Sequence, residues 1–335
     1  MATDAAVPVW LLTGTRPGEI TQQRALAHAL GLPFRELAVA RQPLAGGHAE
    51  FDFAALQPPW PKIAISFGKT LDAAVELRHR APQVRLVQIG RPRGVAWDQI
   101  DLIVPMPQDV IPDGDNIQKI RMPFNPAPPA PDAAIVERLH AQDWPRPWTL
   151  LVLGGVSRQY RFDAATAGRL LAATTARVER QRGTLLIATS PRTPNDVLRL
   201  LDRRPALPGE TYRFVRGDAQ NPFAAYLHQA DEIVLSGDSP SMLAECWRST
   251  KPVWVWPLRY TPRYWLKRQS RHLIPQATMR AGRSAAALDI NRWLRQLADD
   301  GHIGLFGQRA AQRPYRAEDD DDLARVVGRI QALLR

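Results

Sequence analysis

The stretch "EIVLSGDSPSMLAECWRSTKPVWVWPL", Glu232 to Leu258, contains one full copy of the pattern on which this chain is built. It opens with a short apolar run, typical of a buried parallel strand, and passes into a turn of small polar residues, Ser236 to Ser241. Ser239 and Pro240 are expected to be the N-cap and the first residue of the helix that follows. A second apolar run, "PVWVW", comes after that helix. Strand, helix and strand at this spacing predict a parallel sheet flanked by helices.

The same alternation occurs in both halves of the 335-residue chain. The runs "VWLL", "KIAIS", "VRLVQI" and "IDLIV" predict strands in the first half, and "WTLLVL" and "GTLLIAT" predict strands in the second. A proline-rich segment between the halves cannot continue a sheet. We therefore predict an N-terminal domain over residues 1–124, an interdomain connection over residues 125–147 and a C-terminal domain over residues 148–317. Residues 318–335 are predicted to form a final helix.

Composition limits the class of protein. The net charge of +11 favours an anionic partner, but the chain has no zinc-finger spacing and no aromatic-rich RNA-binding signature, so no nucleic acid is expected. The single cysteine, Cys246, excludes an internal disulfide. We find no apolar run long enough to span a membrane and no signal peptide. These features predict a cytoplasmic protein.

The first candidate site is the turn after "VWLL". In an open parallel sheet, ligands bind beyond the carboxyl ends of the strands, where this turn is expected to lie. Gly14 and Gly18 permit close approach of a ligand, Arg16 can bind a phosphate, and Glu19 can accept a proton. The turn has neither the Walker nor the dinucleotide-binding glycine spacing. A plain strand-to-helix turn is the alternative.

The second candidate site follows "WTLLVL". Gly154 and Gly155 are expected to precede a helix, where backbone N–H groups suit a diphosphate. Ser157 and Arg158 would add further donors. A double glycine alone is common, so an ordinary turn is again the alternative.

The third candidate site follows "TLLIAT". Ser190 and Thr193 present hydroxyl groups and Arg192 a guanidinium group, all of which can bind phosphate oxygens. The alternative is that Thr193 only caps a helix whose first residue is Pro194.

The fourth candidate site lies in the stretch quoted first. Capping explains Ser239 but not the other hydroxyl groups or the acids. Ser241 and Glu245 are four residues apart and share one face of the helix. The Glu245 carboxylate can accept both hydroxyls of a ribose, and a solvated helix glutamate is the alternative. Together, the four turns predict a nucleotide site.

Four blocks of the chain are similar to one known family. "LLTGTRPGEITQQRALAHALG", "LVLGGVSRQYRFD", "ATSPRTP" and "SGDSPSMLAECWRSTKPVWVWPL" resemble, in this order, blocks of the mitochondrial-fission ELM1-like family. That family is related to GT-B glycosyltransferases, and the last block is similar to the nucleotide-sugar site of MurG-type transferases. The resemblance implies a GT-B-like α/β fold, in which two Rossmann-like domains have parallel sheets facing a central cleft. It also implies that the final helix packs back on the N-terminal domain.

The resemblance also implies roles for individual residues. In GT-B enzymes of this type, the C-terminal domain holds the nucleotide diphosphate and a helix glutamate binds the ribose, which matches Glu245. The glycine pair Gly154–Gly155 and the hydroxyl of Ser157 match phosphate contacts. The turn from Gly14 to Glu19 would face the acceptor and the transferred sugar.

The first turn departs from the family pattern. The family has an acid before the first glycine, where this chain has Thr13, and no glycine-rich loop with histidine follows Gly18. No general base is identified by the resemblance. Glu19 and Asp238 are the candidates by side-chain chemistry.

Two hypotheses on function follow. The first is a metal-independent glycosyltransferase that uses a nucleotide-diphosphate sugar as donor and a glycan or lipid-linked acceptor, and needs no other cofactor. Arg158 and Arg192 would stabilise the leaving diphosphate. The basic and aromatic segment "LRYTPRYWLKRQSRHL", Leu258 to Leu273, favours peripheral contact with an anionic inner membrane of the cell envelope. The alternative is a non-catalytic GT-B-fold scaffold, which the missing acid and base favour.

Overall fold

The apolar runs form strands in the computed structural model, which describes residues 7–39, 41–43, 49–51, 53–203, 207–308, 315 and 320–335. In chain order the strands are β1 Val9–Thr13, β2 Phe34–Ala38, β3 Arg41–Pro43, β4 Ala49–Phe51, β5 Ile63–Phe67, β6 Arg85–Ile89, β7 Leu102–Val104, β8 Asp109–Val110, β9 Trp148–Leu153, β10 Thr184–Thr189, β11 Thr211–Tyr212, β12 Glu232–Ser236, β13 Val253–Trp256, β14 Ala287–Leu288 and β15 Gly304–Leu305.

Helices alternate with the long strands. They are α1 Pro17–Leu30, α2 Leu71–Arg80, α3 Ala133–His140, α4 Ala164–Gln181, α5 Asn195–Leu201, α6 Phe223–Gln229, α7 Pro240–Trp247, α8 Pro262–His272, α9 Gln276–Arg280, α10 Ile290–Asp299 and α11 Asp322–Leu334. The chain divides into two compact units. The first unit comprises Met1–Pro126, Arg268–Asp289 and Ala317–Arg335, and the second comprises Ala127–Lys267 and Ile290–Arg316.

The first unit is built on a parallel sheet of order β2-β1-β5-β6-β7. Both faces of this sheet are buried, because successive side chains of a strand point to opposite faces. In β1, Trp10 and Leu12 belong to the apolar cluster that contains α2, whereas Val9 and Leu11 belong to the cluster that contains α1 and α11. The continuous apolar runs of the sequence are thus explained by two covered faces.

Helix α11 completes one of these faces. Val326 and Ile330 are fully buried in the cluster with α1. Asp322, at the start of the helix, is also buried, and its carboxylate accepts hydrogen bonds from the backbone N–H groups of Arg121 and Met122. The acidic run Glu318 to Asp322 suggests a solvent-exposed helix start, but Asp322 is buried. Glu318 and Asp319 lie outside the described residues.

The second unit is built on a parallel sheet of order β11-β10-β9-β12-β13-β15. The predicted connection, residues 125–147, contains a helix that the proline-rich sequence conceals. Asp132 caps α3 by accepting a hydrogen bond from Ala134 N at 2.8 Å, and Ile135 and Leu139 are buried. This helix belongs to the second unit, whose first residue is Ala127.

Within the described residues, we find no helix that is both long and apolar enough to cross a membrane.

Candidate functional site

The carboxyl ends of three neighbouring strands of the second unit, β10, β9 and β12, are tied together by one carboxylate. Asp238, just after β12, accepts hydrogen bonds from Gly155 N at 3.1 Å and from Ser236 Oγ at 2.7 Å. It also forms an ion pair with Arg192, after β10, with 3.0 Å between Nη2 and Oδ2. Ser236 Oγ in turn accepts a hydrogen bond from Gly154 N at 2.8 Å. Ser236 and Asp238 of this polar segment therefore serve to join the strand ends.

The glycine pair is required by this close packing. A Cβ atom on Gly154 would lie 1.9 Å from Asp238 Oδ1, and one on Gly155 would lie 2.0 Å from the backbone oxygen of Arg192. Both amide N–H groups already donate within the protein, so they are not the free diphosphate cradle that was predicted. The next helix, α4, does not follow the pair directly but begins at Ala164, where Asp163 caps it.

Asp238 does not fit the role of general base. Its side chain is fully buried, so it has no contact with solvent through which to reach a hydroxyl group of an acceptor. Burial raises the pKa of Asp238, while the hydrogen bond from Gly155 N and the charge of Arg192 act in the opposite direction. The sequence cannot distinguish such an internal acid from a catalytic one, because both follow a buried strand.

The third turn, after β10, contains one buried side chain, Thr193, and two that are partly exposed, Ser190 and Arg192. Thr193 is buried, and its Oγ1 accepts a hydrogen bond from Ser190 N at 2.9 Å and lies 2.7 Å from the carbonyl oxygen of Gly154. It is neither a ligand for phosphate nor a cap, because Pro194 is the N-cap of α5. The side chain of Arg192 is 45% exposed and retains surface beyond its ion pair. Ser190 is partly buried beside it.

The loop after β9 presents a hydroxyl group and a cation to a ligand. Ser157 Oγ accepts hydrogen bonds from Gln159 N at 3.3 Å and Tyr160 N at 3.2 Å, which leaves its own proton available to a ligand. Arg158 is exposed and forms no hydrogen bond or ion pair with any described residue.

The turn after β12 ends in a helix with an open polar face. Ser239 caps α7, with 3.5 Å between its Oγ and Met242 N, and Pro240 is the first helical residue, as predicted. Ser241 and Glu245 are partly buried one turn apart, and neither side chain has a hydrogen-bond or ion-pair partner among the described residues. Burial alone raises the pKa of the Glu245 carboxyl. A half-buried acid without a partner is suited to accept hydrogen bonds from a ligand.

The turn after β1, in the first unit, is more exposed. Pro17 begins α1, so that Gly18 and Glu19 lie in its first turn rather than before it. Arg16 is exposed and pairs with Glu19 at 3.0 Å between Nη1 and Oε1. Burial raises the pKa of Glu19, and Arg16 opposes this rise. A Cβ atom on Gly14 would meet only an ordinary contact at 3.5 Å, so this glycine is not required by close packing.

Sequence reasoning missed three residues at strand ends. Ser236 was not assigned a role, although a serine that closes an apolar strand signals a buried hydrogen bond. Lys69 and Arg93 follow β5 and β6, in "FGKT" and "IGRPR", where a glycine directly after each apolar strand was an available signal. No group of three or more metal-ligating side chains occurs among the residues described above.

The fold of the whole chain is similar to that of solved GT-B structures. A putative UDP-N-acetylglucosamine 2-epimerase from Listeria monocytogenes aligns with a TM-score of 0.53 at 14% identity, covering 99% of this chain and 97% of that one. The MnaA–UDP structure from S. aureus aligns with a TM-score of 0.51 at 13% identity, covering 97% and 96%. At these identities the similarity shows the fold alone. The protein has the GT-B fold, with two Rossmann-like units, as predicted.

The family follows from the sequence itself. The profile described as "Mitochondrial fission ELM1" matches residues 17–317, which is most of the chain. The chain therefore belongs to the mitochondrial fission ELM1 family, and the resemblance drawn from its four sequence blocks is confirmed. A comparison with curated proteins finds no match.

Proposed function

We propose that this protein is a GT-B-type glycosyltransferase that moves a sugar from a nucleotide-diphosphate donor to a glycan or lipid-linked acceptor at the inner membrane surface. The second unit would bind the nucleotide and the first unit the acceptor. Family membership and the GT-B fold support this class, and the donor is supported by the UDP named for the S. aureus relative.

The observation that carries the proposal is the carboxylate of Glu245. It lies on α7, directly after the turn that joins the strand ends, at the carboxyl edge of the sheet where ligands of open α/β sheets bind. Its partly buried oxygens have no partner among the described residues. A carboxylate that is partly shielded from water and has no internal partner is open to hydrogen-bond donors, and the two hydroxyl groups of a ribose would supply them. Ser241, four residues earlier on the same face, would add a further donor.

The donor diphosphate would be held by side chains rather than by the glycine pair. Arg158 is exposed and has no ion pair within the described chain, and the guanidinium group of Arg192 is partly exposed. The hydroxyl groups of Ser157 and Ser190 lie in the same two loops. Such fixed donors stabilise the negative charge that develops on a leaving diphosphate.

Glu19 is the residue we propose as general base. Its side chain is 22% exposed, in contrast to the fully buried Asp238. Burial raises its pKa above the ordinary value of a glutamate, although Arg16 limits that rise, and a carboxylate with a raised pKa is better matched to proton abstraction near neutral pH. Glu19→Gln should abolish turnover and leave nucleotide affinity unchanged.

Calorimetric titration with UDP, GDP, CDP and CMP tests the nucleotide site. We expect one nucleotide to bind, with an affinity that falls about 5-fold to 100-fold in Glu245→Ala, equivalent to about 1–3 kcal/mol. The matched control is Glu179→Ala, which removes an exposed helix glutamate of the same unit whose side chain has no hydrogen bond or ion pair among the described residues. Equal losses in both variants, or no binding of any nucleotide to the wild type, would refute the site.

A non-catalytic nucleotide-binding scaffold is the second candidate. The burial of Asp238 favours it, because it removes one of the two acids proposed as general base. Incubation of the wild type with UDP-sugars, followed by measurement of released UDP, separates the two functions. Binding that depends on Glu245 without release of UDP in the presence of envelope glycans and lipid-linked acceptors would favour the scaffold.

Helix α8 supports the proposed contact with a membrane. None of its residues is buried, and Trp265 and Leu266 are 49% and 66% exposed, with Leu273 just beyond the helix at 83%. Tyr260 and Tyr264 of this segment are partly buried: Tyr260 stacks on Tyr160 with 5.0 Å between ring centroids and also contacts Tyr264.

Co-sedimentation with vesicles tests this contact. We expect binding to vesicles that contain phosphatidylglycerol, weakened several-fold by Leu266→Ser because a large apolar side chain no longer enters the interface. Val215→Ser is the control, since Val215 is 57% exposed in a loop of the second unit. No sedimentation of the wild type would exclude a direct membrane contact.

A further inference from the structure

Cationic side chains gather at the carboxyl edge of the first unit's sheet. Arg16 follows β1, Lys69 follows β5, and Arg91 and Arg93 follow β6, and these three strands are neighbours in the order β1-β5-β6. Arg271, at the end of α8, belongs to the same unit and acts electrostatically on Arg93. We call these five residues the cationic cluster.

Three members of the cluster, Arg16, Arg91 and Arg271, lie close enough to Arg93 to influence its guanidinium group. Although Arg93 is exposed, the surrounding protein removes enough water from its guanidinium group to lower its pKa. The charges of Arg91, Arg271 and Arg16 lower this pKa further, and Asp109 opposes them. Like charges held together disfavour the charged form, so the arrangement is costly in the absence of an anion.

The nearby carboxylates do not neutralise the cluster. Asp109 is buried and forms an ion pair with Arg91, with 3.6 Å between Nε and Oδ1, and it also accepts a hydrogen bond from Met106 N at 3.1 Å. Glu19 pairs with Arg16. Each of these two carboxylates is therefore already engaged by one cation of the cluster.

Lys69 and Arg93 are the members available to a ligand. Both are exposed, and neither forms a hydrogen bond or an ion pair with any residue that the structure describes. Gly68 has φ +59, which lets the chain turn sharply after β5, and a Cβ atom at this position would lie 3.7 Å from Glu19 Oε1. This turn places Lys69 beside the Arg16–Glu19 pair, consistent with its electrostatic action on Glu19.

We propose that the cationic cluster, through Lys69, Arg93 and Arg16, binds a phosphate group of a phosphorylated acceptor. A planar guanidinium group pairs bidentately with phosphate oxygens, and a lysine adds a mobile point charge, so the set suits a phosphomonoester or diphosphate better than a single carboxylate. Arg91 is a positioning residue, because it is occupied by Asp109 and by the carbonyl oxygen of Ala286 at 2.6 Å. This inference rests on the proposed function, since it names the chemistry of the acceptor.

Titration of the full-length chain with inorganic pyrophosphate tests the cluster. We expect the dissociation constant to rise about fivefold in Lys69→Gln and in Arg93→Gln, and more in the double variant. Lys62→Gln is the matched control: Lys62 is exposed, has no ion pair among the described residues, and precedes β5 at the opposite edge of the same sheet. The titration is repeated with saturating UDP, which occupies the proposed nucleotide site and leaves the cluster free.

The outcomes distinguish this proposal from the proposed nucleotide site. Pyrophosphate binding that weakens in Arg93→Gln but not in Lys62→Gln supports the cluster, even if UDP does not bind. Affinity for pyrophosphate that is equal in the wild type and Arg93→Gln overturns the cluster, even if UDP binds in a manner that depends on Glu245. An equal loss in Lys62→Gln also overturns it, because the effect is then one of net charge.

The phosphate has two possible sources, a lipid and a soluble glycan. Vesicles of phosphatidylcholine with phosphatidic acid present the first source, and pyrophosphate stands for the second. Vesicle binding that falls severalfold in Arg93→Gln assigns the cluster to a lipid-borne phosphate. Vesicle binding that is unchanged, with pyrophosphate binding weakened, assigns it to a soluble phosphorylated acceptor.

Discussion

The strand-end turns of the two units have the same position in similar parallel sheets but differ in how their charges are used. In the second unit, the charge of Asp238 is buried and joins three strand ends through Ser236, Gly155 and Arg192. In the first unit, the charges after β5 and β6 include Lys69 and Arg93, which have no ion pair among the described residues. The strand ends of the second unit are joined by hydrogen bonds, whereas those of the first unit present charged side chains to solvent.

A polar turn after a buried strand can therefore serve two purposes. Buried polar groups are satisfied by one another in a well-packed turn, and what remains unsatisfied is available for a ligand. Among the described residues, that remainder includes Ser241, Glu245 and Arg158 in the second unit. In the first unit it includes the exposed cations Lys69 and Arg93.

The largest expected effect tests whether close packing is confined to the second unit. In Gly155→Ala the new Cβ would meet the backbone oxygen of Arg192 at 2.0 Å, which cannot be relieved by a side-chain rotation. We expect a loss of about 3 kcal/mol or more, seen as a fall of about 6–12 °C in the thermal midpoint or as loss of soluble protein. Gly14→Ala, in the first unit, should cost less than about 1 kcal/mol. Similar midpoints for both variants would contradict the comparison.

The next effect concerns how the first unit is held together. Asp322→Ala removes the buried acceptor of the Arg121 and Met122 N–H groups and should destabilise the protein by about 2–3 kcal/mol. Asp321→Ala is the control, because the Asp321 side chain is 51% exposed and its ion pair with Arg325 is worth about 0–1 kcal/mol. Urea unfolding monitored by circular dichroism measures both. Equal stability of the two variants would show that α11 is held by its apolar face alone.

Much of the fold is readable from the sequence because it depends on local patterns. The apolar runs around Leu11 and Leu150 predict buried strands, and both are fully buried in parallel sheets. Ser239 and Pro240 predict the start of α7, and they form its N-cap and first residue. Helix α3 was missed because its eight residues are surrounded by prolines.

The candidate site is less readable, because its chemistry depends on contacts between distant residues. Asp238 lies just before α7 and Glu245 lies on α7, and only the contact of Asp238 with Gly155, 83 positions away, shows that Asp238 is internal. Thr193 was expected to bind phosphate or to cap a helix, and it instead contacts Gly154, which follows the neighbouring strand β9. No local pattern reports these contacts.

A smaller effect separates capping from binding within α7. Ser239→Ala removes the N-cap and should cost about 0.5 kcal/mol, the low end of the usual range, because its bond to Met242 N is long at 3.5 Å. Ser241→Ala should leave the unfolding midpoint unchanged and weaken nucleotide binding severalfold, since the Ser241 side chain has no partner in the described chain. Chemical denaturation and calorimetry of both variants measure this. A stability loss in Ser241→Ala, with nucleotide binding intact, would show that Ser241 stabilises the fold and does not bind the nucleotide.

The smallest effect is a pH dependence of nucleotide affinity. We expect Glu245 on α7 to produce it, and the hydrogen-bonded network around Asp238 not to. The ordinary pKa of a glutamate, 4.5, is raised by burial in Glu245, so that this carboxylate becomes protonated at a higher pH than an exposed one. Ribose hydroxyl groups donate to the ionised form, so nucleotide affinity should decline as the pH falls through the raised pKa.

We expect the ratio of dissociation constants for wild type and Glu245→Gln to change about threefold between pH 7 and pH 5, the equivalent of one net hydrogen bond. Taking the ratio removes the titration of the nucleotide phosphate, which is common to both proteins. The stability of the free protein has the opposite pH dependence, because a folded state with a raised carboxyl pKa binds more protons than the unfolded state. Stability should therefore fall slightly as the pH rises from 4.5 through the raised pKa, and Glu245→Gln should remove this slope. A ratio that is constant with pH would mean that Glu245 does not bind the ribose as an anion, and its burial would then belong to packing alone.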